Sequence, residues 1–251
     1  MFSSFSCSEE KSKGISIDNE EIKSSEGAIN KAKKTGQYLF IIFHDKKDEV
    51  FLAMEKEIEA FRKETPAKSM VYKALITDKQ DAEVVQKYQL SKVKLPAVLI
   101  FAPNGVVTGG FQEKVEKKQL ERSIVSDLDM KIMKPLQEGK IALVLIQNDK
   151  TKLNKESSSS AEEFKSDPTV KGMVETVVAD PSIKENKKFL SACKLDENMQ
   201  EAVIVVLIPP GVITGVFKGK TDKSIIFNSF KGSSCGSGGA GCASGAPGCT
   251  P

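Results

Sequence analysis

The sequence lacks several features that would place a protein in a well-known class. It contains no run of about 18 apolar residues, the length that a membrane-spanning helix needs. Its net charge is only +3, which gives no electrostatic reason to expect a nucleic-acid partner. The N-terminus has neither the basic start nor the long apolar stretch of a signal peptide. We therefore expect no membrane span, no nucleic acid and a cytoplasmic location, with a truncated export or lipoprotein signal ending at Cys7 as the alternative.

Cysteine is scarce and unevenly placed. The five cysteines are Cys7, Cys193, Cys235, Cys242 and Cys249. This distribution does not resemble the disulfide framework that small secreted domains need. We therefore expect domains that stay folded in a reducing compartment. Cys193 lies in an amphipathic segment, where a buried small hydrophobic side chain is the favoured interpretation.

What the sequence does contain is an internal repeat. Residues 105–111, Gly-Val-Val-Thr-Gly-Gly-Phe, return 106 positions later as residues 211–217, Gly-Val-Ile-Thr-Gly-Val-Phe. The apolar run 99–104 returns at the same spacing, and residues 39–43 match residues 142–146. A spacing of about 100 residues indicates a duplicated domain, because a unit of that length can close its own core, whereas solenoid repeats are shorter.

Hydrophobic patterning predicts the same order of elements in both copies. In the first copy it predicts strands at 38–43, 70–76, 97–101 and 106–111, and helices at 20–35, 48–64, 82–90 and 115–128. In the second copy it predicts strands at 141–147, 177–179, 203–208 and 212–217, and helices at 160–176, 182–193 and 222–230. A capping-box signature over 160–163 begins the longest of these helices, and a helical stretch from Leu120 to Gly139 joins the copies. Strand, helix and strand followed by a hairpin require one parallel crossover and one antiparallel pair. The sequence therefore predicts an α/β fold in which each copy has a mixed central sheet with helices on both faces.

One segment of the first copy resembles a known family. It runs from Gln86-Lys87-Tyr88-Gln89-Leu90 through Leu95-Pro96-Ala97-Val98-Leu99-Ile100-Phe101 to Asn104-Gly105, and it is similar to the cis-proline region of the thioredoxin family. Residues 37–127 follow the family pattern well, and residues 140–230 follow it more loosely. The resemblance implies two tandem thioredoxin-like domains, a cis bond before Pro96, and a face beside this proline that holds an extended polypeptide.

Both copies depart from the family where its chemistry resides. The family uses two cysteines, two residues apart, at the start of the helix after the first strand, where the helix end lowers a thiol pKa. The corresponding residues are Asp48 and Phe51 in the first copy and Thr151 and Asn154 in the second. Disulfide exchange of the usual kind is therefore excluded in both. The second copy also has Ala202 in place of the proline, so we expect it to be the more degenerate domain.

His44, the only histidine, lies between the first predicted strand and helix, beside Asp45 and Asp48. It could be a general base or a metal ligand, or a polar residue that caps the start of the helix where the family has its catalytic motif. The second interpretation is favoured, because one histidine without a nucleophile or a second histidine does not make a site. Asp45 and Asp48 suit helix N-terminal charges better than acid–base partners. Together with Leu95 and Pro96, these residues form the predicted binding face for a polypeptide partner.

The segment 232–251 is composed largely of Gly, Ala and Ser, and it carries Cys235, Cys242 and Cys249 at a period of seven. Such a composition predicts a flexible tail. Three evenly spaced thiols suggest the capture of a soft metal, Zn(II) or Cu(I). Structural zinc sites, however, use close ligand pairs and a fourth ligand. The alternative is a tail whose cysteines pair incidentally or attach to something unknown.

These patterns divide the chain into four parts. They are a flexible N-terminal tail at 1–19, a thioredoxin-like domain at 20–127, a degenerate thioredoxin-like domain at 128–231, and the cysteine-containing tail at 232–251. The leading function is a redox-inactive binding or scaffolding protein that holds a polypeptide partner and needs no cofactor. The alternative is a thiol-based redox or soft-metal-handling protein that acts through the tail cysteines. An enzyme is not favoured, because neither domain has the two-cysteine motif.

Overall fold

Two four-stranded sheets, one in each half of the chain, form the fold. The computed structural model describes residues 22–231, so the predicted tails at 1–19 and 232–251, with Cys7 and the three tail cysteines, lie outside the described residues. The first unit contains α1 (Ser25–Thr35), β1 (Tyr38–His44), α2 (Glu49–Glu64), β2 (Ser69–Leu75), α3 (Ala82–Lys87), β3 (Ala97–Phe101), β4 (Val107–Gln112) and α4 (Lys117–Ser123). The second unit contains α5 (Asp127–Gln137), β5 (Ile141–Ile146), α6 (Asn154–Lys165), β6 (Val174–Ala179), α7 (Lys187–Ala192), β7 (Val203–Ile208), β8 (Val212–Lys218) and α8 (Lys223–Lys231).

The two sheets have the same strand order, β2-β1-β3-β4 and β6-β5-β7-β8. In each, the two strands linked by a helical crossover are parallel, and the other neighbouring pairs are antiparallel. β1 is buried along its whole length, because helices cover both faces of the sheet. The predicted α/β fold with two mixed sheets is confirmed.

Alternate residues of β1 enter two different cores, as the strand period requires. Phe40 and Ile42 pack in the core beneath α2 and α4. Leu39, Ile41 and Phe43 pack in the core beneath α1 and α3. The second unit repeats this arrangement on either side of β5.

The repeated glycines have the same roles in both units. Gly105 and Gly211 lie in the β3–β4 and β7–β8 hairpins with positive φ angles of 85° and 137°, a conformation that favours glycine. Gly109 lies beneath α4, and a Cβ atom there would collide with the Oγ atom of Ser123. At Gly215 a Cβ atom would lie 2.5 Å from the Phe217 ring. The sequence repeat therefore reflects one hairpin that turns tightly and passes close to its neighbours.

The junction between the units differs from the prediction. α4 and α5 are separate helices, so the helix predicted over 115–128 covers only Lys117–Ser123 and the continuous stretch from Leu120 to Gly139 does not form. The physical reason is Ser126, whose Oγ atom accepts a hydrogen bond of 3.1 Å from the Asp129 N–H and caps a new helix. Periodicity continues across the junction, but the cap restarts the helix.

The long helix of the second unit begins earlier than predicted. α6 spans Asn154–Lys165, whereas the capping-box pattern predicted a helix over 160–176. Ser160 lies inside α6, where its Oγ atom donates to the Glu156 carbonyl at 2.9 Å and accepts from the Thr221 N–H at 3.2 Å. The hydroxyl is thus satisfied within the helix and by a distant loop, and it caps nothing. β6 accordingly begins at Val174, within the segment predicted as helix.

Helix α5 packs against both units. Leu128, Ile132 and Leu136 lie in the core of the second unit, where α5 is the first helix. Met130 and Met133 pack against the core of the first unit. The helix therefore has two apolar sides, and each side serves a different sheet.

Polar contacts hold the same helix against the first unit. The Asn104 side chain donates a hydrogen bond of 2.7 Å to the Met130 carbonyl. The Gln137 amide bonds to both backbone groups of Val107 at the start of β4. Apolar packing and hydrogen bonds together join the second unit to the end of the first sheet.

Candidate functional site

The predicted binding face lies at one edge of the first sheet, where three neighbouring strands begin or end. His44 ends β1 and is in register with Leu75, the last residue of β2. Phe43 is in register with Ala97, the first residue of β3. Because the register continues by one residue, Pro96 lies beside His44. The structure therefore brings the histidine and the proline together.

His44 is a buried aromatic residue beneath the start of α2. Its side chain is only 6% exposed, and its ring meets the Phe51 ring edge-on with centroids 4.7 Å apart. The Nδ1 atom is buried and has no hydrogen-bond partner among the described residues. Burial, with the positive charge of Lys47, lowers the pKa of His44. A neutral imidazole is thus favoured at neutral pH, and this residue packs against the helix rather than capping it.

Asp48 is the residue that caps α2. Its carboxylate accepts a hydrogen bond of 3.1 Å from the Phe51 N–H and forms an ion pair of 3.1 Å with Lys46. The hydrogen bond from Phe51, followed by the one from Lys46, lowers the pKa of Asp48. These contacts agree with a helix N-terminal charge, and they make the carboxylate a weak base. Asp45, the remaining acidic residue of the predicted face, is exposed.

Leu95 presents unpaired backbone groups next to the proline. The Leu95–Pro96 bond is cis, as the family resemblance implies. The Pro96 carbonyl accepts a hydrogen bond of 2.7 Å from the Glu113 N–H, and the Lys94 N–H donates one of 3.1 Å to the Gln112 side chain. Between them, the Leu95 N–H and carbonyl have no partner in the part of the chain that is described. Leu95 therefore offers one donor and one acceptor at this edge.

At the matching position of the second unit, Lys152 pairs with the two residues on either side of Glu201. Glu201, which stands 106 positions after Leu95, forms a parallel bridge with Lys152. The Lys152 N–H donates to the Gln200 carbonyl at 2.9 Å, and the Ala202 N–H donates to the Lys152 carbonyl at 2.9 Å. No sequence pattern indicated this contact, because a single bridge between two distant loops leaves no periodicity. These bonds use the Gln200 carbonyl and the Ala202 N–H, so the N–H and carbonyl of Glu201 itself have no partner among the described residues, as at Leu95.

The side chains around the two edges also differ in polarity. In the first unit, Val50 and Leu75 are 44% and 40% exposed. In the second unit, Gln147 and Asp180 directly follow β5 and β6, where the first unit has His44 and Leu75 at the strand ends. The Asp180 carboxylate is held by hydrogen bonds from neighbouring side chains. The two edges thus differ at the ends of the strands, whereas Leu153, which matches Val50 at the start of the next helix, is also an exposed apolar residue.

Cys193 is the one cysteine within residues 22–231. It is buried, as predicted, and burial raises its pKa to about 11.

Within residues 22–231, no group of three metal-ligating side chains lies together, and no helix is long and apolar enough to cross a membrane. Cys235, Cys242 and Cys249, the predicted ligands, lie outside this range, so the metal site remains a prediction.

The strand order and directions define the class of fold. Each half of the chain has a parallel strand–helix–strand crossover followed by an antiparallel hairpin and a closing helix, with the sheet order set out above. This is the thioredoxin-like fold, and the first unit keeps its cis-proline. The chain is a tandem pair of thioredoxin-like domains.

The chain has low similarity to known proteins. No protein-family model matches it, and no curated protein sequence matches it. It is similar to the first two thioredoxin domains of Saccharomyces cerevisiae Eps1p, with 12% identity over 82% of this chain and 96% of that chain and a TM-score of 0.31. It is similar to Fasciola hepatica thioredoxin, with 19% identity over 41% of this chain and 93% of that chain and a TM-score of 0.31. The zinc-bound form of human ERp44 is also similar, with 14% identity over 84% of this chain and 57% of that chain and a TM-score of 0.36. At these identities the likeness concerns the fold alone.

Proposed function

We propose that this protein is a redox-inactive binding or scaffolding protein that holds an extended polypeptide segment on its first unit. The observation that carries the proposal is the unpaired backbone of Leu95 beside the cis bond to Pro96. An extended segment that lies along Leu95 would complete both hydrogen bonds as a short added strand. The predicted face of His44, Asp45, Asp48, Leu95 and Pro96 then surrounds the bound segment.

The side chains around Leu95 favour an apolar segment. Val50 and Leu75 are exposed apolar residues at the start of α2 and the end of β2, and Leu95 itself is only partly buried. Alternate side chains of an extended peptide point to the same side. Two apolar residues separated by one position would therefore cover these exposed apolar side chains. The residue that pairs with Leu95 must carry an N–H, which excludes proline there.

The residues at the helix start support a function without redox chemistry. Asp48 and Phe51 occupy the positions of the family's two cysteines, and neither contains sulfur. Cys193 is buried with a raised pKa, which disfavours the reactive thiolate. The second unit serves in this proposal to support the first unit through α5.

The proposal is tested by selecting peptides of about ten residues, the length of a long strand, from a displayed library on the full chain. We expect extended apolar sequences whose affinity falls at least about tenfold when Leu95 is replaced by Asp. Glu201→Lys changes the matching residue of the second unit and is expected to leave affinity unchanged. Methylating the peptide nitrogen that faces Leu95 should weaken binding to a similar extent, because it removes the hydrogen bond. Peptides that bind the Leu95→Asp variant as tightly as the wild type would exclude this face.

A second measurement tests the redox part of the proposal. In a chain that ends at residue 231 and carries Cys193→Ser, no thiol remains except Cys7. Insulin reduction by this variant and by the full chain should stay at background. Turnover that requires residues 232–251 would favour the alternative function through the tail cysteines.

A further inference from the structure

Val106 and Val212 stand at the same position in the two copies of the repeat but differ in exposure. Val106 is 3% exposed, whereas Val212, 106 positions later, is 48% exposed. Their strand neighbours differ in the same direction. Ala102 is 1% exposed, and its counterpart Ile208 is only partly buried. One hairpin end is therefore covered, and the equivalent hairpin end is open.

Helix α5 covers the end of the first hairpin. Met130 and Met133 pack against the core that includes Ala102 and Val106. The Gln137 amide then bonds to the backbone of Val107, the next residue along β4. Two methionine side chains and one side-chain amide of α5 thus cover the end of the first hairpin.

The equivalent surface on the second unit is more apolar. Ile208 and Val212 are in register across the β7–β8 hairpin, so their side chains point to the same face of the sheet. Ile213 stands where Val107 stands, and no described side chain bonds to it as Gln137 bonds to Val107. We call the side chains of Ile208 and Val212, with the backbone of Ile213, the open hairpin end; the Ile213 side chain itself packs against the core of the second unit.

The chain's own sequence does not supply the missing side chains. At the repeat spacing of 106, Gly236 and Gly239 stand where Met130 and Met133 stand. Glycine has no side chain that could cover Val212. The first helix of a second copy is equally unsuitable, because the exposed residues of α1 are all small or polar: Glu26, Gly27, Asn30, Lys33, Lys34 and Thr35.

We propose that the open hairpin end docks an amphipathic α-helix of a partner protein, in the way that α5 docks on the first unit. The helix carries two apolar residues at the spacing of Met130 and Met133 and an Asn or Gln at the spacing of Gln137. Ile208 in place of Ala102 enlarges the apolar contact. Pro210 in place of Asn104 removes one donor, so apolar packing dominates the interface.

The test uses α5 itself as the probe. A labelled peptide of residues 126–138 is held helical by an amide link between the side chains of Asp127 and Lys131, which already form an ion pair of 2.6 Å one turn apart. The link prevents helix formation from limiting binding. We expect the peptide to bind the full chain saturably, as measured by fluorescence anisotropy. A linked peptide that shows no saturable binding up to about 1 mM would overturn the proposal.

Peptide variants identify which side of the helix binds. Replacing Met130 and Met133 of the peptide with Ser should abolish binding, because these side chains make the equivalent contact within the chain. Replacing Leu128 and Leu136 with Ser should preserve it, because those residues serve the other side of α5. Binding that follows the leucines would overturn the proposed mode of docking.

Protein variants identify the surface. Val212→Asp should weaken peptide binding at least about tenfold without lowering the melting temperature, because Val212 is half exposed. The matched control is Val178→Asp, because Val178 is 59% exposed on β6, at the opposite edge of the same sheet. Equal affinities for the wild type and Val212→Asp would place the peptide elsewhere and overturn the proposal.

Two further outcomes would assign the surface to another occupant and overturn the proposal of a partner helix. The first is self-association in sedimentation experiments that is lost in Val212→Asp, which would indicate a second copy of this chain. The second is peptide binding by a chain ending at residue 231 but not by the full chain. That result would make residues 232–251 the occupant.

Discussion

The side-chain amide of Gln137 bonds to the backbone of Val107 in both directions. The Val107 N–H donates to the Gln137 Oε1 atom at 2.9 Å, and the Gln137 Nε2 atom donates to the Val107 carbonyl at 2.7 Å. β4 is an edge strand, so these backbone groups face away from the sheet. The amide takes the place of one residue of an adjoining strand, which protects the edge and anchors the end of α5.

Gln137→Ala should lower the free energy of unfolding by about 1 kcal/mol, the net value of an ordinary hydrogen bond, because water replaces the amide at this exposed contact. Urea denaturation of the full chain measures the change. Gln86→Ala is the control, because Gln86 is an exposed helical residue whose side chain makes no hydrogen bond in the described structure. Equal losses for the two variants would mean that the double contact does not contribute.

The first unit should depend on α5 for stability, although the predicted boundary at 127 and 128 assigns nearly all of this helix to the second unit. A fragment of residues 20–126 uncovers Ala102 and Val106, whereas a fragment of residues 20–138 keeps Met130, Met133 and Gln137 over them. We expect the longer fragment to melt about 4–8 °C or more above the shorter one, since each 1 kcal/mol shifts the Tm by about that much at this size. Calorimetry that gives the same Tm for both would show that the first unit is complete without α5.

Gly109→Ala should destabilise the chain by about 1–3 kcal/mol, because the new methyl group would collide with the Oγ atom of Ser123 beneath α4. Gly110→Ala is the control, since its Cβ atom would lie 3.2 Å from the end of the Leu99 side chain, which is able to yield. Adding Ser123→Ala to Gly109→Ala should recover part of the loss. If the loss in the free energy of unfolding of the double variant equals the sum of the losses of the two single variants, the Oγ atom is not the obstacle.

The pH dependence of stability should contain a contribution from His44. Its pKa in the folded chain is lowered from 6.5, so the unfolded chain binds this proton at a higher pH than the folded chain does. The folded state therefore loses stability as the pH falls from about 6.5 towards the lowered pKa. His44→Gln introduces the residue that follows β5 at the same place, Gln147, and removes the titration. Between about pH 7.5 and about pH 5.5 the wild type should lose more stability than the variant, as measured by urea denaturation. Parallel pH profiles would contradict this contribution.

The strands were the most predictable elements, for a physical reason. β3 and β7 match the predicted ranges because each is a short apolar run bounded by turn residues and buried on both faces. Helix boundaries were less predictable, because they depend on single hydrogen bonds. Ser126 caps a helix that periodicity had merged with its neighbour, whereas Ser160 has the sequence of a cap but bonds inside α6.

The candidate site also has a part that the sequence predicts and a part that it does not. The proximity of His44 to Pro96 follows from strand order, which the hydrophobic pattern and the family resemblance supplied. The bridge between Lys152 and Glu201 was not predictable, because it depends on whether a distant loop happens to reach the edge. The exposure of Val212 was not predictable either. Val106 and Val212 are the same residue at equivalent positions, and they differ only in whether a helix packs over them.

The double role of α5 has a consequence for how thioredoxin-like units of this kind can be assembled. The contact joins unlike surfaces, a hairpin end on one unit and the first helix of the next, so it is heterologous and has no two-fold axis. A contact of this type does not close on itself. Each unit that is added leaves another hairpin end available. The repeat therefore describes a head-to-tail, open-ended series, in which the side chains of the next helix, and not symmetry, decide whether another unit can be added.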